Sequence, residues 1–321
     1  MRIGLLTSGG DAPGMNACVK SVCDMATNLG FEVIAFRRGY KGIMDMDYIT
    51  LDKDYVADIF NLGGSKIMTG RSMAFTEKAG VMQAVKNLNS LSIDVLIVIG
   101  GNGTYRGANE LVELGVNVIA IPATVDNDVY STDRSIGFDT AVNNAVDMIV
   151  NIQATMRANE RVALIETMGR DGGDIALYSA IASESDIVLV PEDKKTENDV
   201  IAMIKDEIAR GNQSPIVILA EKQFDLEKLR VKVEKSTNKE CRGVVLGYMQ
   251  RGGGPNMADR TLGIRYGASA VILINQGVVN VALGVDDDKI ITTPIENAVK
   301  LESNFRQDLY NLFRDLHQMN R

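Results

Sequence analysis

Apolar runs of strand length alternate along this chain with longer segments in which apolar residues return every three or four positions. The strand candidates are 2–7, 31–36, 94–99, 117–121, 161–166, 187–190, 215–220 and 242–246, and the helix candidates between them are 14–28, 75–89, 104–113, 138–156, 173–183, 197–210 and 225–236. A run such as Val95-Leu96-Ile97-Val98-Ile99 is apolar at every position, as in a strand covered on both faces. The pattern is that of β-α-β units and predicts an α/β protein: two Rossmann-like three-layer α/β/α domains whose largely parallel sheets face a cleft. Glycine-rich turns cluster before about residue 138 and after 160, which divides the chain into a first domain of 1–138 and a second of 139–251. After Gly252 a long helix candidate at 256–276 and short strands at 279–285 and 288–293 return the chain to the first domain over 252–305. Residues 306–321 form an amphipathic helix or tail.

The chain has 321 residues, 45% of them hydrophobic, and a net charge of −8. An acidic balance argues against a nucleic-acid surface, since binders of the phosphate backbone carry a basic excess. No apolar run reaches membrane-span length, and the apolar start gives way to Gly9-Gly10 too soon for a signal-peptide core, so the expectation is a cytoplasmic protein. Cys18, Cys23 and Cys241 lack paired spacing and read as reduced thiols. The one histidine, His317, stands near the end of the chain, which makes a carboxylate the natural choice for any catalytic base.

Three loops at predicted strand ends carry candidate chemistry. Thr7-Ser8-Gly9-Gly10-Asp11-Ala12-Pro13-Gly14 follows the first strand and opens a helix, where backbone N–H groups can approach an anion. Gly100-Gly101-Asn102-Gly103-Thr104 repeats that arrangement after strand 94–99. Pro122-Ala123-Thr124-Val125-Asp126-Asn127-Asp128 follows strand 117–121 at the same carboxyl edge, where ligands gather in open α/β sheets. Its two aspartates can divide the work of accepting a hydroxyl proton and holding Mg²⁺. Taken singly, the first loop also reads as a tight β-α turn with an Asp cap, and the aspartate pair as turn caps. Arg161, Arg170, Arg242 and Arg251, each near a strand end or in a glycine-rich turn, suit a sugar phosphate because guanidinium forks bind phosphate oxygens in pairs.

With these segments assembled, the chain closely resembles the bacterial-type ATP-dependent 6-phosphofructokinase family over about residues 2–305. The matching strings are LTSGGDAPGMN at 6–16, GGNGT at 100–104, TVDND at 124–128, MGR at 168–170 and R-x₄-G-Y-x-Q-R-G-G from Arg242 to Gly253, followed by Asp259-Arg260. The resemblance implies transfer of the γ-phosphoryl of Mg-ATP to the 1-hydroxyl of fructose 6-phosphate. It implies a nucleotide site of Gly10, Tyr40, Arg71, Ser72, Gly101, Asn102, Gly103 and Thr104 in the first domain. Asp126 would be the base, with Thr124 and Arg170 supporting the transferring group. The sugar would meet Val125, Met168, Gly169, Glu221, Tyr248, Met249, Gln250 and Arg251, while Arg161 and Arg242 stand where the family takes arginines from a neighbouring subunit. That arrangement implies an oligomer with shared sites, with a homotetramer as the family expectation.

Some positions depart from the family pattern. Asn102 replaces an aspartate that helps hold Mg²⁺, leaving Asn102 and Asp128 as the metal candidates. Tyr248 replaces a histidine, exchanging a possible positive charge for one phenol hydroxyl. Lys20, Asp24, Lys53, Gln153, Arg210, Asn212, Gln213 and Ser214 hold less positive charge than the effector site of well-studied relatives, which predicts a weakened effector response. Gly103 and Ala123 favour ATP over pyrophosphate, because pyrophosphate-using relatives place Asp and Lys there. A pyrophosphate-dependent enzyme and a catalytically weakened or regulatory subunit are the competing readings.

Overall fold

The computed structural model describes residues 1–70, 72–300 and 305–317. The chain opens with β1 (Arg2–Thr7), α1 (Met15–Asn28), β2 (Glu32–Phe36), α2 (Tyr40–Asp45), β3 (Tyr48–Leu51), α3 (Lys78–Ser90), β4 (Val95–Gly100), α4 (Asn102–Glu113) and β5 (Val118–Pro122). The long helix α5 (Phe138–Ala158) leads to β6 (Val162–Thr167), α6 (Asp174–Ala182), β7 (Ile187–Leu189), α7 (Glu197–Ala209), β8 (Ile216–Ala220), α8 (Leu226–Thr237) and β9 (Cys241–Val245). Then come α9 (Met257–Asn275), β10 (Val281–Asp286), β11 (Lys289–Pro294), α10 (Ile295–Ala298) and α11 (Gln307–Leu316). These elements form two compact units, Met1–Thr140 with Gly252–Asn304, and Ala141–Arg251 with Phe305–Arg321. The first division falls inside α5, and the C-terminal helix groups with the second unit.

The first unit holds a seven-stranded sheet of order β11-β10-β5-β4-β1-β2-β3. Its centre is parallel, and its edge strands β3 and β11 run antiparallel to their neighbours. Strand side chains alternate between faces. Leu6, Ile34, Phe36, Leu96, Val98, Val118 and Ala120 pack with buried residues of α2, α3 and α4. Residues of the opposite parity, such as Ile3, Leu5, Val33, Ile97 and Ile119, are equally buried on the side of α1 and α9. Those two helices lie unusually close: a Cβ on Gly267 would sit 2.6 Å from the Cys18 carbonyl oxygen. The residues after β1 thereby enter α1 from a firmly seated position.

The second unit holds a fully parallel sheet of order β7-β8-β6-β9. Val162, Leu164, Ile187, Leu189, Val217, Leu219 and Cys241 pack on one face against Val200 and Ile204 of α7 and Leu229 and Val233 of α8. Helix α6 lies against the other face, with α11 packed on it. The mixed α/β class with parallel sheets matches the alternation in the sequence, whereas α2 and β3 have no counterpart in it. Among the described residues no helix is long and apolar enough to cross a membrane.

Candidate active site

In the first unit the chain leaves β1 for β2 on one side and returns to β4 and β5 on the other, so loops diverge between β1 and β4. This is the topological switch point at which open α/β sheets bind ligands. The loop after β1 is braced from below: Thr7 Oγ1 donates to the Met68 carbonyl at 2.9 Å, and Thr69 Oγ1 to the Gly9 carbonyl at 2.8 Å. The loop after β4 turns directly into α4, whose first N–H groups carry the positive end of the helix dipole. There the Thr104 hydroxyl is buried beside Gly9 and Gly100 with no hydrogen-bond partner among the described residues. A buried unsatisfied hydroxyl is costly, and a phosphate oxygen is the kind of acceptor that would satisfy it.

Tyr40 lies beneath this loop. It is 5% exposed, stacks on Phe75 at 4.1 Å between ring centroids, and donates its hydroxyl to the Thr104 carbonyl at 2.6 Å. Burial pushes its phenol pKa up, which keeps it a donor. The stack fits because residue 107 is glycine: a Cβ there would come within 2.8 Å of Tyr40 and 2.9 Å of Phe75. Ser72 accepts from the Phe75 amide at 3.3 Å and starts the short turn Ala74–Thr76. Gly10 is exposed at the loop surface, and Arg71 lies outside the described residues.

The loop after β5 is folded on itself. Thr124 Oγ1 accepts from the Asp126 amide at 3.2 Å and stands 3.4 Å from Asp126 Oδ2. Asn127, at φ 53°, accepts from the Ser135 amide at 3.0 Å and donates to the Asp133 carbonyl at 3.1 Å, while Ser135 Oγ donates to the Thr124 carbonyl at 2.7 Å. Asn102 ties two of the loops together, its side-chain amide donating to the Asp128 carbonyl at 3.0 Å. An aspartate could not make that bond at neutral pH, having no proton to give. Val125 is buried, and a Cβ on Gly103 would meet nothing within 4 Å.

In the second unit the carboxyl ends of β6, β8 and β9 bring another set together. The Glu221 amide donates to the Thr167 carbonyl at 2.9 Å, and Glu221 Oε1 accepts from the Arg170 amide at 2.8 Å. Arg170 holds φ 57°, a conformation costly for a non-glycine residue and concentrated at functional sites. Burial raises the Glu166 pKa, and the Glu221 charge adds to it. Gln250 is fully buried; its side chain accepts from the Met168 amide at 3.3 Å and donates to the Gly247 carbonyl at 3.1 Å, so it braces the Met168-Gly169 turn. Tyr248 and Met249 are 77% and 71% exposed, and the Arg251 guanidinium sits 5.2 Å from the Tyr248 ring centre.

Arg161 and Arg242 stand elsewhere. Arg161 precedes β6 and Arg242 is the second residue of β9, opposite Ala163, so both lie at the amino edge of this sheet and both pair with Glu240. A strand of five or six residues spans about 16–20 Å, so these two are not brought to Arg170 and Glu221 within one chain. Arg161 and Arg242 thus stand at the opposite edge of the sheet from Arg170. The signal was available, since each of the two begins its predicted strand. The bracing roles of Asn127, Ser135 and Gln250 were not anticipated. Asn127 stands inside a motif, but its conformation does not show in residue spacing.

At three of the candidate effector positions the polar side chains have local partners. Lys20 pairs with Asp24 at 3.0 Å, Lys53 donates to Asn28 at 3.3 Å, and the buried Gln153 donates to the Ser183 carbonyl at 2.8 Å.

The model of the family described as Phosphofructokinase matches residues 2–274. Proteins named ATP-dependent 6-phosphofructokinase are 42% identical in Clostridium botulinum, over 97% of this chain and 98% of theirs, and 40% identical in Clostridioides difficile, over 98% of each. The crystal structure of Pichia pastoris phosphofructokinase in the T-state superposes with a TM-score of 0.92 at 26% identity. That match covers 99% of this chain and 39% of the yeast chain. Loops at a switch point, a carboxylate in reach of a threonine and a near full-length likeness agree: the chain belongs to the phosphofructokinase family.

Proposed function

We propose that this protein is an ATP-dependent 6-phosphofructokinase that moves the γ-phosphoryl of ATP to the 1-hydroxyl of fructose 6-phosphate. The observation that carries this reading is Asp126 beside Thr124 on a loop tied through Asn102 to the turn that opens α4. Asp126 takes the proton of the 1-hydroxyl as its oxygen bonds the γ-phosphorus and the bond from that phosphorus to the β,γ-bridging oxygen breaks, ADP leaving with the electron pair; the proton stays on the carboxylate until product leaves. The turn at 101–104 and the loop after β1 receive the nucleotide phosphates, with Thr104 Oγ1 as one donor. Thr124 and Arg170 steady the transferring group, in line with phosphoryl transfer as positioning plus charge stabilisation.

Among the described residues no cluster of three acidic, histidine or cysteine side chains could hold a metal ion. Mg²⁺ commonly binds one or two carboxylates together with substrate phosphates, so Asp128 and the Asn102 side-chain oxygen suffice as protein donors. When bound, the ion neutralises charge on the phosphate oxygens. The open space beside Gly103 and the small side chain of Ala123 favour ATP over pyrophosphate.

Met168, Gly169, Arg170, Glu221 and the segment Tyr248–Arg251 take the sugar phosphate. Arg161 and Arg242, at the other sheet edge, serve the site of a neighbouring subunit, which makes the working enzyme a homo-oligomer, with the tetramer as the family form. Location in the cytoplasm and a role in glycolysis belong to the same reading, as does a reduced effector response. The test is fructose 1,6-bisphosphate formation by the purified protein, with ATP and pyrophosphate in parallel over a wide Mg²⁺ range. Turnover with ATP and little with pyrophosphate is the expected result; turnover with pyrophosphate alone overturns the donor, and none with either overturns the enzyme.

A further inference from the structure

In the second unit, a concavity of about 350 Å³ opens between α7, α11 and the loop that joins β7 to α7, lined by none of the residues assigned above. Its cations come from two elements: Lys194 and Lys195 from the loop, Arg314 from α11. In a chain of net charge −8, three cations on one small cavity are a local reversal. Lys195 is paired with Asp193 at 2.9 Å, and Asp193 also accepts from the Tyr310 hydroxyl at 2.7 Å, which fixes α11 to the loop. Arg314 lies 5.8 Å from the Tyr310 ring centre. Lys194 has no hydrogen-bond or ion-pair partner among the described residues.

The negative groups divide unequally. Asp199 is spent on its own helix: its carboxylate accepts from the Thr196 amide and hydroxyl, both at 2.7 Å, closing a capping box at the start of α7. Asp206 sits seven residues further along the same helix, about 10 Å away at 1.5 Å per residue, with Met203 between them. The loop end of the cavity therefore carries Lys194 and Lys195, Met203 lies further along α7, and Asp206 further still, with Arg314 facing them from α11.

We propose that this cavity binds a phosphomonoester whose body carries hydroxyl or amino groups. The phosphate would lie among Lys194, Lys195 and Arg314, and the donor groups of the body would face Asp206. Asp206 opposes a ligand charged at both ends, so a sugar phosphate of pentose size fits better than pyrophosphate. The cavity volume is at the lower end of small-molecule sites and matches that size. Since Tyr310 and Arg314 belong to α11, occupancy would strengthen the hold of that helix on its unit.

The test is calorimetric titration of ribose 5-phosphate into the full-length protein with a non-hydrolysable ATP analogue saturating and fructose 6-phosphate left out, since it carries the same phosphate and hydroxyl groups and would compete for the cavity. Wild type should show one saturable event per chain and a raised thermal midpoint. The Lys194→Ala/Arg314→Ala variant should bind at least tenfold more weakly while keeping wild-type kcat and KM, and Asp206→Ala should weaken ribose 5-phosphate but not inorganic phosphate. Absence of binding to wild type, equal binding by the double variant, or pyrophosphate binding as tightly as ribose 5-phosphate would each overturn the proposal. None of these outcomes depends on turnover, so they are separate from failure of the assigned activity.

Discussion

Asp259 shows how much a single buried residue can decide. Fully enclosed, it accepts from the Gly137 amide, the Thr140 amide and the Thr140 hydroxyl at 2.7, 2.7 and 2.5 Å, tying α9 to the start of α5. Burial pushes its pKa up to about 6, although those donors pull the other way. A folded-state value above the unfolded one means the native protein binds more protons between about pH 4 and 6, so this residue's contribution to stability falls as pH rises through that window. A rise of that size corresponds to roughly 3 kcal/mol. Urea unfolding of wild type and Asp259→Asn at pH 4 and 6.5 should therefore show the wild type losing stability relative to the variant at the higher pH. A gap that stays constant across the window would contradict the assignment. Asn102 is a second case: the sequence reveals a missing charge, but only the structure reveals the hydrogen bond to the Asp128 carbonyl that the amide makes in exchange.

Elements differed in how far the sequence disclosed them. The long helices and central strands were legible because each repeats its period several times and each is bounded by glycine-rich turns. Helix α2 and strand β3 were not, for they are six and four residues long and β3 is an antiparallel edge strand, half exposed. Loops at the carboxyl edge were recognisable by glycine and aspartate content, yet what supports them lies outside the motifs. Tyr40 and Phe75 come from separate segments and meet under α4 only because Gly107 leaves room. Gly107→Ala should accordingly destabilise the first unit by about 1–3 kcal/mol through overpacking. It should also raise the KM for ATP more than that for fructose 6-phosphate, as Tyr40 carries the Thr104 carbonyl. Steady-state kinetics with thermal unfolding checks both parts; a stability loss with unchanged KM for ATP would separate Tyr40 from the nucleotide loop.

For the whole molecule, the two units carry different parts of the proposed chemistry, and the arginines are divided again within the second. The direction of β6 and β9 puts Arg161 and Arg242 at the edge away from Arg170, a placement legible in the sequence from each of them beginning its predicted strand once the two strands are known to run parallel. If those arginines complete a neighbour's site, two inactive proteins should help one another. Mixing Asp126→Ala with Arg161→Ala/Arg242→Ala, then dissociating and reassociating the subunits, should restore activity that neither has alone. No recovery in verified mixed oligomers would place the arginines outside any shared site.

The central claim rests on one carboxylate. The most direct measurement is the single-turnover rate of fructose 1,6-bisphosphate formation by wild type and Asp126→Ala, at saturating ATP, fructose 6-phosphate and Mg²⁺. Loss of the base should slow the chemical step by about 10³-fold, with binding of both substrates retained. A variant that transfers the phosphoryl group at the wild-type rate would contradict the account.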